Sequence, residues 1–197
     1  MKISFKRFLF EIIIPIIGII TLYLLIQTIS ACFIGSYYMV GSSMIPSLKP
    51  NDKVLVNKYK FKFNYLYKKE EILKRGDLII FYPPFLDPKN DFNYYGIEQI
   101  LQILKIPITN KNSLFLQRVI GLPGERIKIL KGKGVFINGQ YIEENYILEK
   151  ANYSTEEITI PEENYFILGD NRNNSFDSHR WGFLPKKRII GKVILTY

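Results

Sequence analysis

The sequence predicts a mainly β protein, in which an antiparallel, β-rich domain follows one apolar N-terminal helix. Three observations predict this fold class. An uncharged apolar run lies near the N-terminus, short segments rich in β-branched and aromatic residues recur through the rest, and turn-forming residues separate those segments. The chain has 197 residues, which is enough for one well-packed domain and one helix but not for two large domains.

The apolar run covers residues 12–34 and contains no charged side chain. A helix of that length crosses roughly 30 Å of hydrocarbon, so the run is predicted to be a transmembrane anchor. Three basic residues precede it, and none follows it until Lys49. This bias predicts that residues 1–11 stay in the cytoplasm and that residues 35–197 lie on the outer face of the membrane.

The apolar run also permits two alternative assignments, which stay open. A cleaved secretory signal would have an apolar region of about 7–15 residues, which is shorter than this one. The small residues before Cys32 are typical of a bacterial lipoprotein cleavage site, and that alternative also places the domain outside. Cys32 is the only cysteine of the chain, so the sequence excludes an internal disulfide and a cysteine metal cluster.

The net charge is +9, which makes the chain clearly basic. A domain on the outer face of a membrane has little access to nucleic acid, so we expect no nucleic-acid partner. Anionic membrane lipids are the partner that this charge favours. A solvated basic surface without a specific partner accounts for the charge equally well.

Turn signals and strand patterns organise the exported part. Asn138-Gly139 predicts a tight hairpin, Gly132-Lys133-Gly134 predicts a second strand connection, and Leu122-Pro123-Gly124 suits a type II turn. Seven strands are predicted at residues 54–57, 78–81, 114–120, 126–130, 135–137, 165–168 and 193–197.

Residues 86–112 break this pattern and are predicted to form an insertion. Apolar residues at 97, 100, 101 and 104 have the spacing of one helical face, and Pro107 ends the pattern. Such a helix would cap an open sheet, or it would guide a substrate or touch the membrane.

Five segments resemble the motifs of the type I signal peptidases, and they occur in the order of that family. The resemblance covers most of the chain. The segments are Val40-Gly41-Ser42-Ser43-Met44-Ile45-Pro46-Ser47-Leu48, residues 51–58, residues 75–81, Phe115-Leu116-Gln117-Arg118-Val119-Ile120-Gly121-Leu122-Pro123-Gly124-Glu125, and residues 169–182.

The resemblance implies a mostly β catalytic fold and a serine endopeptidase that cleaves exported preproteins after small residues. Ser43 matches the nucleophile, and its backbone N–H is expected to donate to the oxyanion. Some family members add a serine hydroxyl two positions before the nucleophile, where this chain has Gly41. Ser42, Met44 and Pro46 belong to the same motif and are expected to support it.

Gln117 departs from the family pattern, which has lysine at this position as the general base. A buried lysine with a lowered pKa can accept a proton near pH 7, whereas an amide is not basic. Loss of a general base commonly lowers the rate by about 10²–10⁴-fold. Arg118 cannot replace the lysine, because a guanidinium does not deprotonate in proteins. Lys105 and Lys111, in the preceding loop, are the alternative bases.

Asp177 and His179 permit a Ser-His-Asp arrangement, but the resemblance favours a structural ion pair between them. Ser175 matches a family serine that orients the lysine amine, and here it is expected to hydrogen-bond the Gln117 amide. Asp170, Asn171 and Arg172 are expected to fix the local loop. The sequence contains no metal-ligand pattern, and no cofactor is expected.

Two principal hypotheses follow, and they belong to different functional classes. The first is a signal peptidase, anchored in the plasma membrane or a thylakoid membrane, with Ser43 as nucleophile. The second is a catalytically impaired homologue that binds exported proteins as an assembly factor, because Gln117 is not basic. A basic membrane-surface protein is a third hypothesis, but it leaves the order of the motifs unexplained.

Overall fold

The structure is a computed structural model that describes residues 9–58, 73–85 and 114–197. A π-helical turn at Leu9–Ile13 leads into helix α1, Ile14–Phe33, and strand β1 begins directly afterwards at Ile34. Among the described helices, none combines the length and apolarity that a membrane span needs. The predicted anchor at 12–34 stays a prediction; α1 ends at Phe33, and Ile34 pairs with Asn57 of a neighbouring strand.

Antiparallel strands form two sheets in the described part of the chain. The larger sheet has the order β1-β2-β11-β3-β4-β9-β10 and the smaller one β7-β6-β5-β8. The strands are β1 (Ile34–Tyr38), β2 (Lys53–Asn57), β3 (Leu78–Phe81), β4 (Phe115–Gly121), β5 (Arg126–Leu130), β6 (Gly134–Ile137), β7 (Gln140–Tyr141), β8 (Ile158–Thr159), β9 (Asn164–Leu168), β10 (Leu184–Pro185) and β11 (Ile189–Thr196). A short helix α2 spans Ser178–Trp181, and 3₁₀ turns span Arg172–Asn174 and Lys186–Arg188.

The predicted β-rich fold is confirmed, and all seven predicted strands are present. β1 and the three two-residue strands β7, β8 and β10 were missed. β11 begins four residues earlier than predicted, and the missed part contains a register shift against β3 between Ile189 and Gly191. The predicted helix and insertion at 86–112 lie outside the described residues.

The predicted turns also form. Asn138 and Gly139 both have positive φ, 51° and 80°, as the tight hairpin between β6 and β7 requires. At the second turn, Glu125 N donates to Leu122 O at 3.2 Å, and Gly124 has φ 78°.

The core forms three clusters, one of which fixes the segment that carries the predicted nucleophile. This cluster joins Met44 and Leu48, 0% and 2% exposed, to buried residues of β2, β3 and β4. Burying side chains of this size contributes about 1.5–3 kcal/mol each. Met44 and Leu48, which follow Ser43, therefore hold its turn against the core.

Candidate active site

Residues 39–52, here called the nucleophile loop, connect β1 with β2 and carry Ser43. The base of the loop is closed by two backbone hydrogen bonds, from Met39 N to Asp52 O at 2.8 Å and from Asn51 N to Met39 O at 2.9 Å. Within the loop, Ile45 N donates to Ser42 O at 3.3 Å, which places Ser43 inside a turn. Hydrogen bonds thus close the loop at its base, and a turn forms around Ser43.

Residues 169–177, here called the asparagine loop, follow β9 and hold the nucleophile loop from outside. Asn171 N donates to Ser43 O at 2.9 Å, and Asn171 Nδ2 donates to Ser42 O at 3.1 Å. Asn174 Nδ2 donates to Ser42 Oγ at 2.9 Å. The backbone on both sides of the Ser42–Ser43 peptide bond is therefore fixed by side-chain and backbone amides.

Gln117 lies on β4 and is 1% exposed. Its Nε2 donates to Ser175 Oγ at 3.2 Å and to Phe176 O at 3.1 Å. A backbone carbonyl only accepts hydrogen bonds, so Phe176 O fixes which end of the amide is nitrogen. The predicted hydrogen bond between Ser175 and the Gln117 amide is confirmed.

The other end of the Gln117 amide is unpaired. Oε1 is buried and has no hydrogen-bond partner among the described residues, so the Ser43 hydroxyl does not donate to it. An unsatisfied buried acceptor costs about 1–3 kcal/mol. Gln117 thus combines two satisfied donor contacts with one unsatisfied acceptor.

Gly169 connects Ser43 with the Gln117 group. A Cβ atom at Gly169 would lie 2.6 Å from Ser43 O and still closer to Ser175 Oγ, which in turn accepts from Gln117. No side chain fits at this position without displacing the nucleophile loop. Ser43 and Ser175 therefore meet at Gly169, and Ser175 in turn accepts from Gln117.

Arg118 ties the strand that carries Gln117 to both loops. Its Nε and Nη2 form two hydrogen bonds to the Asp170 carboxylate, at 2.8 and 2.6 Å. Nη2 also donates to Ser47 Oγ at 3.2 Å, and the guanidinium lies 4.0 Å from the Tyr146 ring centroid. The carboxylate and the aromatic ring both favour a cation here, which agrees with the expectation that Arg118 is not the base.

Arg172 and Glu144 form a buried ion pair beneath the asparagine loop, with side chains 1% and 2% exposed. Arg172 Nη1 donates to Glu144 Oε2 at 2.7 Å, Nη2 bonds Oε1, and Nε donates to Gly169 O at 3.1 Å. Burial acts to lower the pKa of Arg172, but the hydrogen bonds and charge of Glu144 outweigh it, so the pKa is raised. The pair holds Gly169 in place under Ser43.

Tyr146 extends this pair. Its hydroxyl donates to Glu144 Oε1 at 2.8 Å. Burial, followed by the charge and hydrogen bond of Glu144, raises the pKa of Tyr146. Sequence reasoning missed Glu144, because an acidic residue in a loop carries no local signal that a distant arginine pairs with it.

His179 and Asp177 form hydrogen bonds with each other and with neighbouring residues of the chain. His179 Nδ1 lies 2.5 Å from Asp177 Oδ1, and Nε2 accepts from Arg180 Nε at 3.2 Å. Asp177 Oδ2 accepts from Gly169 N at 3.0 Å, and the His179 ring stacks on Tyr153 with a centroid distance of 4.0 Å. Both ring nitrogens are occupied, so the arrangement favours the structural role over a Ser-His-Asp triad.

In the described ranges, no lysine amine contacts Ser43 or Gln117. Lys192 Nζ, across the sheet, pairs with Asp77 Oδ1 at 2.7 Å. Lys105 and Lys111, the alternative bases, lie outside those ranges. The described residues also contain no cluster of histidine, cysteine and acidic side chains that would hold a metal ion.

Comparison with known proteins places this chain in a family. The family model described as "Signal peptidase, peptidase S26" matches residues 10–197. Signal peptidase I of Leptolyngbya laminosa is 37% identical over 81% of this chain, and thylakoidal processing peptidase 1 of Arabidopsis thaliana is 32% identical over 80%.

The matched region is only part of these relatives, because it spans 66% of the first and 40% of the second. A solved signal peptidase I from Enterococcus faecalis superposes with a TM-score of 0.42 and 25% identity, covering 63% of this chain and 98% of that one. With a family match over nearly its whole length, the chain belongs to the signal peptidase family, peptidase S26.

Proposed function

We propose that the protein removes signal peptides from exported preproteins, and that Ser43 attacks the peptide bond after a small residue. One observation carries this proposal. The nucleophile loop is held around Ser43 by Asn171, and Ser43 shares the space around Gly169 with Ser175, the partner of Gln117. A serine attacks a peptide bond efficiently only when the protein holds it in position, so this fixed placement supports the proposal.

The proposed reaction is acyl transfer to serine. Ser43 Oγ bonds to the scissile carbonyl carbon and the π electron pair moves onto the carbonyl oxygen. When the carbonyl forms again, the C–N bond breaks and the departing amine carries the serine proton. Water then hydrolyses the ester on Ser43, which releases the new carboxyl group and returns a proton to Oγ. The Ser43 backbone N–H donates to the developing oxyanion. Gln117 orients polar groups but takes no proton, so we expect turnover about 10²–10⁴-fold slower than with a lysine base.

The proposed location is a membrane surface, either the plasma membrane or a thylakoid membrane. The thylakoidal relative and the exposed apolar side chains along α1 support this location. The charge bias around residues 12–34 supports a cytoplasmic N-terminus and an outer catalytic domain. Membrane lipids and the signal peptides of preproteins are the proposed partners.

The test is cleavage of a purified preprotein with alanine at positions −1 and −3. Wild type is expected to release the mature protein slowly, and Ser43→Ala is expected to release none. Ser154→Ala is the matched control and should leave the rate unchanged, since Ser154 is an exposed serine whose Oγ accepts from Lys131 N beside the smaller sheet. Cleavage by Ser43→Ala at the wild-type rate would exclude Ser43 as the nucleophile.

Gln117 favours a second candidate, a homologue that binds signal peptides without cleaving them. Its amide is non-basic, and no lysine or histidine contacts it within the described residues. Signal-peptide binding with no product after a long incubation would support this candidate. Product formation that depends on Ser43 would exclude it.

A further inference from the structure

The hydroxyl of Ser42 accepts a hydrogen bond but donates none to any of the described residues. Its oxygen accepts a hydrogen bond from Asn174 Nδ2 at 2.9 Å. An amide nitrogen only donates, so this contact occupies a lone pair and leaves the hydroxyl proton free to point elsewhere. A serine held in this way is a ready donor.

Ser42 also stands beside the proposed backbone donor to the oxyanion. Its Oγ is separated from the Ser43 backbone nitrogen by a short covalent path, so the two atoms lie within roughly 3–5 Å of each other. Asn171 fixes the carbonyls of both residues, which limits how far the peptide between them can rotate. At a separation of roughly 3–5 Å, one oxygen can lie within hydrogen-bond distance of both donors.

Gly41 explains why the donor would lie at position 42. Its φ is 101°, a conformation that L side chains rarely adopt, although a Cβ atom there would meet nothing within 4 Å. A serine at position 41 would have room but would strain the backbone. A hydroxyl one residue later avoids that strain.

Resting on the proposed function, we propose that the Ser42 hydroxyl is the second oxyanion donor of this protein and that Asn174 positions it. Ser42 then acts together with the Ser43 backbone N–H on the oxygen that becomes negative when Ser43 attacks. Asn174 touches no reacting atom. It is a positioning residue, because its donated hydrogen bond makes the Ser42 hydroxyl proton point away from the Asn174 amide.

The test uses a peptide aldehyde with alanine at the residues that precede the carbonyl, compared with the same peptide as a carboxamide. Ser43 Oγ adds to the aldehyde carbon, and the serine proton ends on the former carbonyl oxygen, so a hemiacetal forms without a leaving group. The affinity for the aldehyde therefore depends on the oxyanion donors and on the peptide site. The affinity for the carboxamide depends on the peptide site alone.

We expect Ser42→Ala to weaken aldehyde binding at least about 10-fold, in line with the 10²–10³-fold cost in rate of losing one oxyanion donor. Carboxamide binding should stay within about 2-fold, and Ser42→Thr should restore aldehyde binding because it keeps the hydroxyl. Asn174→Asp should weaken aldehyde binding as much as Ser42→Ala, since a carboxylate accepts the Ser42 proton. Asn174→Asp should have no further effect in the Ser42→Ala background.

The outcomes separate this inference from the proposed function. A wild type that prefers the aldehyde, with Ser42→Ala retaining the full preference, would overturn the role of Ser42 and leave Ser43 as the nucleophile. A wild type that binds the aldehyde no more tightly than the carboxamide would overturn both. Equal loss of aldehyde and carboxamide binding in Ser42→Ala would show a purely structural serine, and would also overturn the inference.

Discussion

Two sets of polar groups, most of them buried, meet beneath the nucleophile loop, and they differ in charge. The charged set is fully paired. The neutral set holds the nucleophile loop through side-chain amides, yet one of its atoms, Gln117 Oε1, has no partner among the described residues. The charged set is Arg118–Asp170, Arg172–Glu144 and the Asp177 carboxylate with its hydrogen-bond partner His179, and the neutral set is Gln117, Asn171, Asn174 and Ser175.

The comparison teaches that shape and basicity are separate properties of this site. Arg172 and Asp177 both bond the backbone of Gly169, so the charged set fixes the asparagine loop without any proton transfer. The neutral set adds donors but no base. The architecture around Ser43 therefore does not depend on a basic side chain at position 117.

Restoring basicity in the neutral set should have the largest effect. We expect Gln117→Lys to raise preprotein cleavage by about 10²–10⁴-fold, the usual contribution of a general base. Burial lowers the pKa of a lysine, and only its neutral amine accepts a proton, so the gain should increase as pH rises through that pKa. The measurement is the cleavage rate of one preprotein between pH 6 and 10.

The control for this gain is Gln117→Lys combined with Ser43→Ala, which should be inactive. Gln117→Met provides a side chain of similar length without an amine and should not gain activity. An active wild type that ignores Gln117→Lys, but is inactivated by Lys111→Ala, would show that the base comes from another segment.

Breaking the charged set should have the next largest effect, on stability. Arg172→Met leaves the Glu144 carboxylate buried without its partner, and losing one member of a buried pair costs about 3–5 kcal/mol. Replacing both residues, by Met and Leu, should cost less, because no uncompensated charge is left. Urea unfolding of wild type and these two variants measures the difference.

An exposed ion pair supplies the control. Arg126 Nη1 lies 3.6 Å from Glu157 Oε2, and the two side chains are 57% and 40% exposed. Arg126→Met should change the free energy of unfolding by less than about 1 kcal/mol. If Arg172→Met were as mild as Arg126→Met, the charged set would not be what fixes the asparagine loop.

The residues of the sequence predict the strands and turns well, because these depend on local patterns. Asn138-Gly139 identifies its hairpin, and the alternation in β5 identifies the strand. β1 was missed since its first residue continues the apolar pattern of α1, and the two-residue strands are too short for any pattern.

The site was predicted only in part, and for a different reason. The resemblance indicated Ser43 and Gln117, but the contacts that hold Ser42 come from Asn171 and Asn174, which are 129 and 132 residues away along the chain. Contacts at that separation depend on the tertiary fold and leave no trace in spacing. The sequence did not indicate Glu144 for the same reason, because its contact with Arg172 also depends on the tertiary fold.

High pH should weaken the charged set through Tyr146. Its pKa in the folded protein is raised above the unfolded value of about 10, so the folded state holds this proton more strongly. The stability that follows is complete below about pH 10 and is lost as pH rises through the folded pKa. Tyr146→Phe should remove this part of the alkaline decline and cost about 1 kcal/mol at pH 7 through the lost hydrogen bond to Glu144.

Urea unfolding at pH 7, 9 and 10.5 measures this effect. Tyr141→Phe, at a half-exposed tyrosine of β7, is the matched control and should keep the wild-type decline. An identical alkaline decline in Tyr146→Phe and wild type would show that Tyr146 does not couple to the buried pair.

The smallest effect is expected for Gln117→Met, and it tests the neutral set directly. The variant loses the hydrogen bonds from Nε2 to Ser175 Oγ and Phe176 O, each contributing about 0.5–1.5 kcal/mol, and it also removes an unpaired acceptor that costs about 1–3 kcal/mol. These contributions oppose each other, so the free energy of unfolding should change by less than about 1 kcal/mol. A loss above about 3 kcal/mol would mean that Oε1 has a partner of its own, such as an ordered water, and that the neutral set is as fully paired as the charged one.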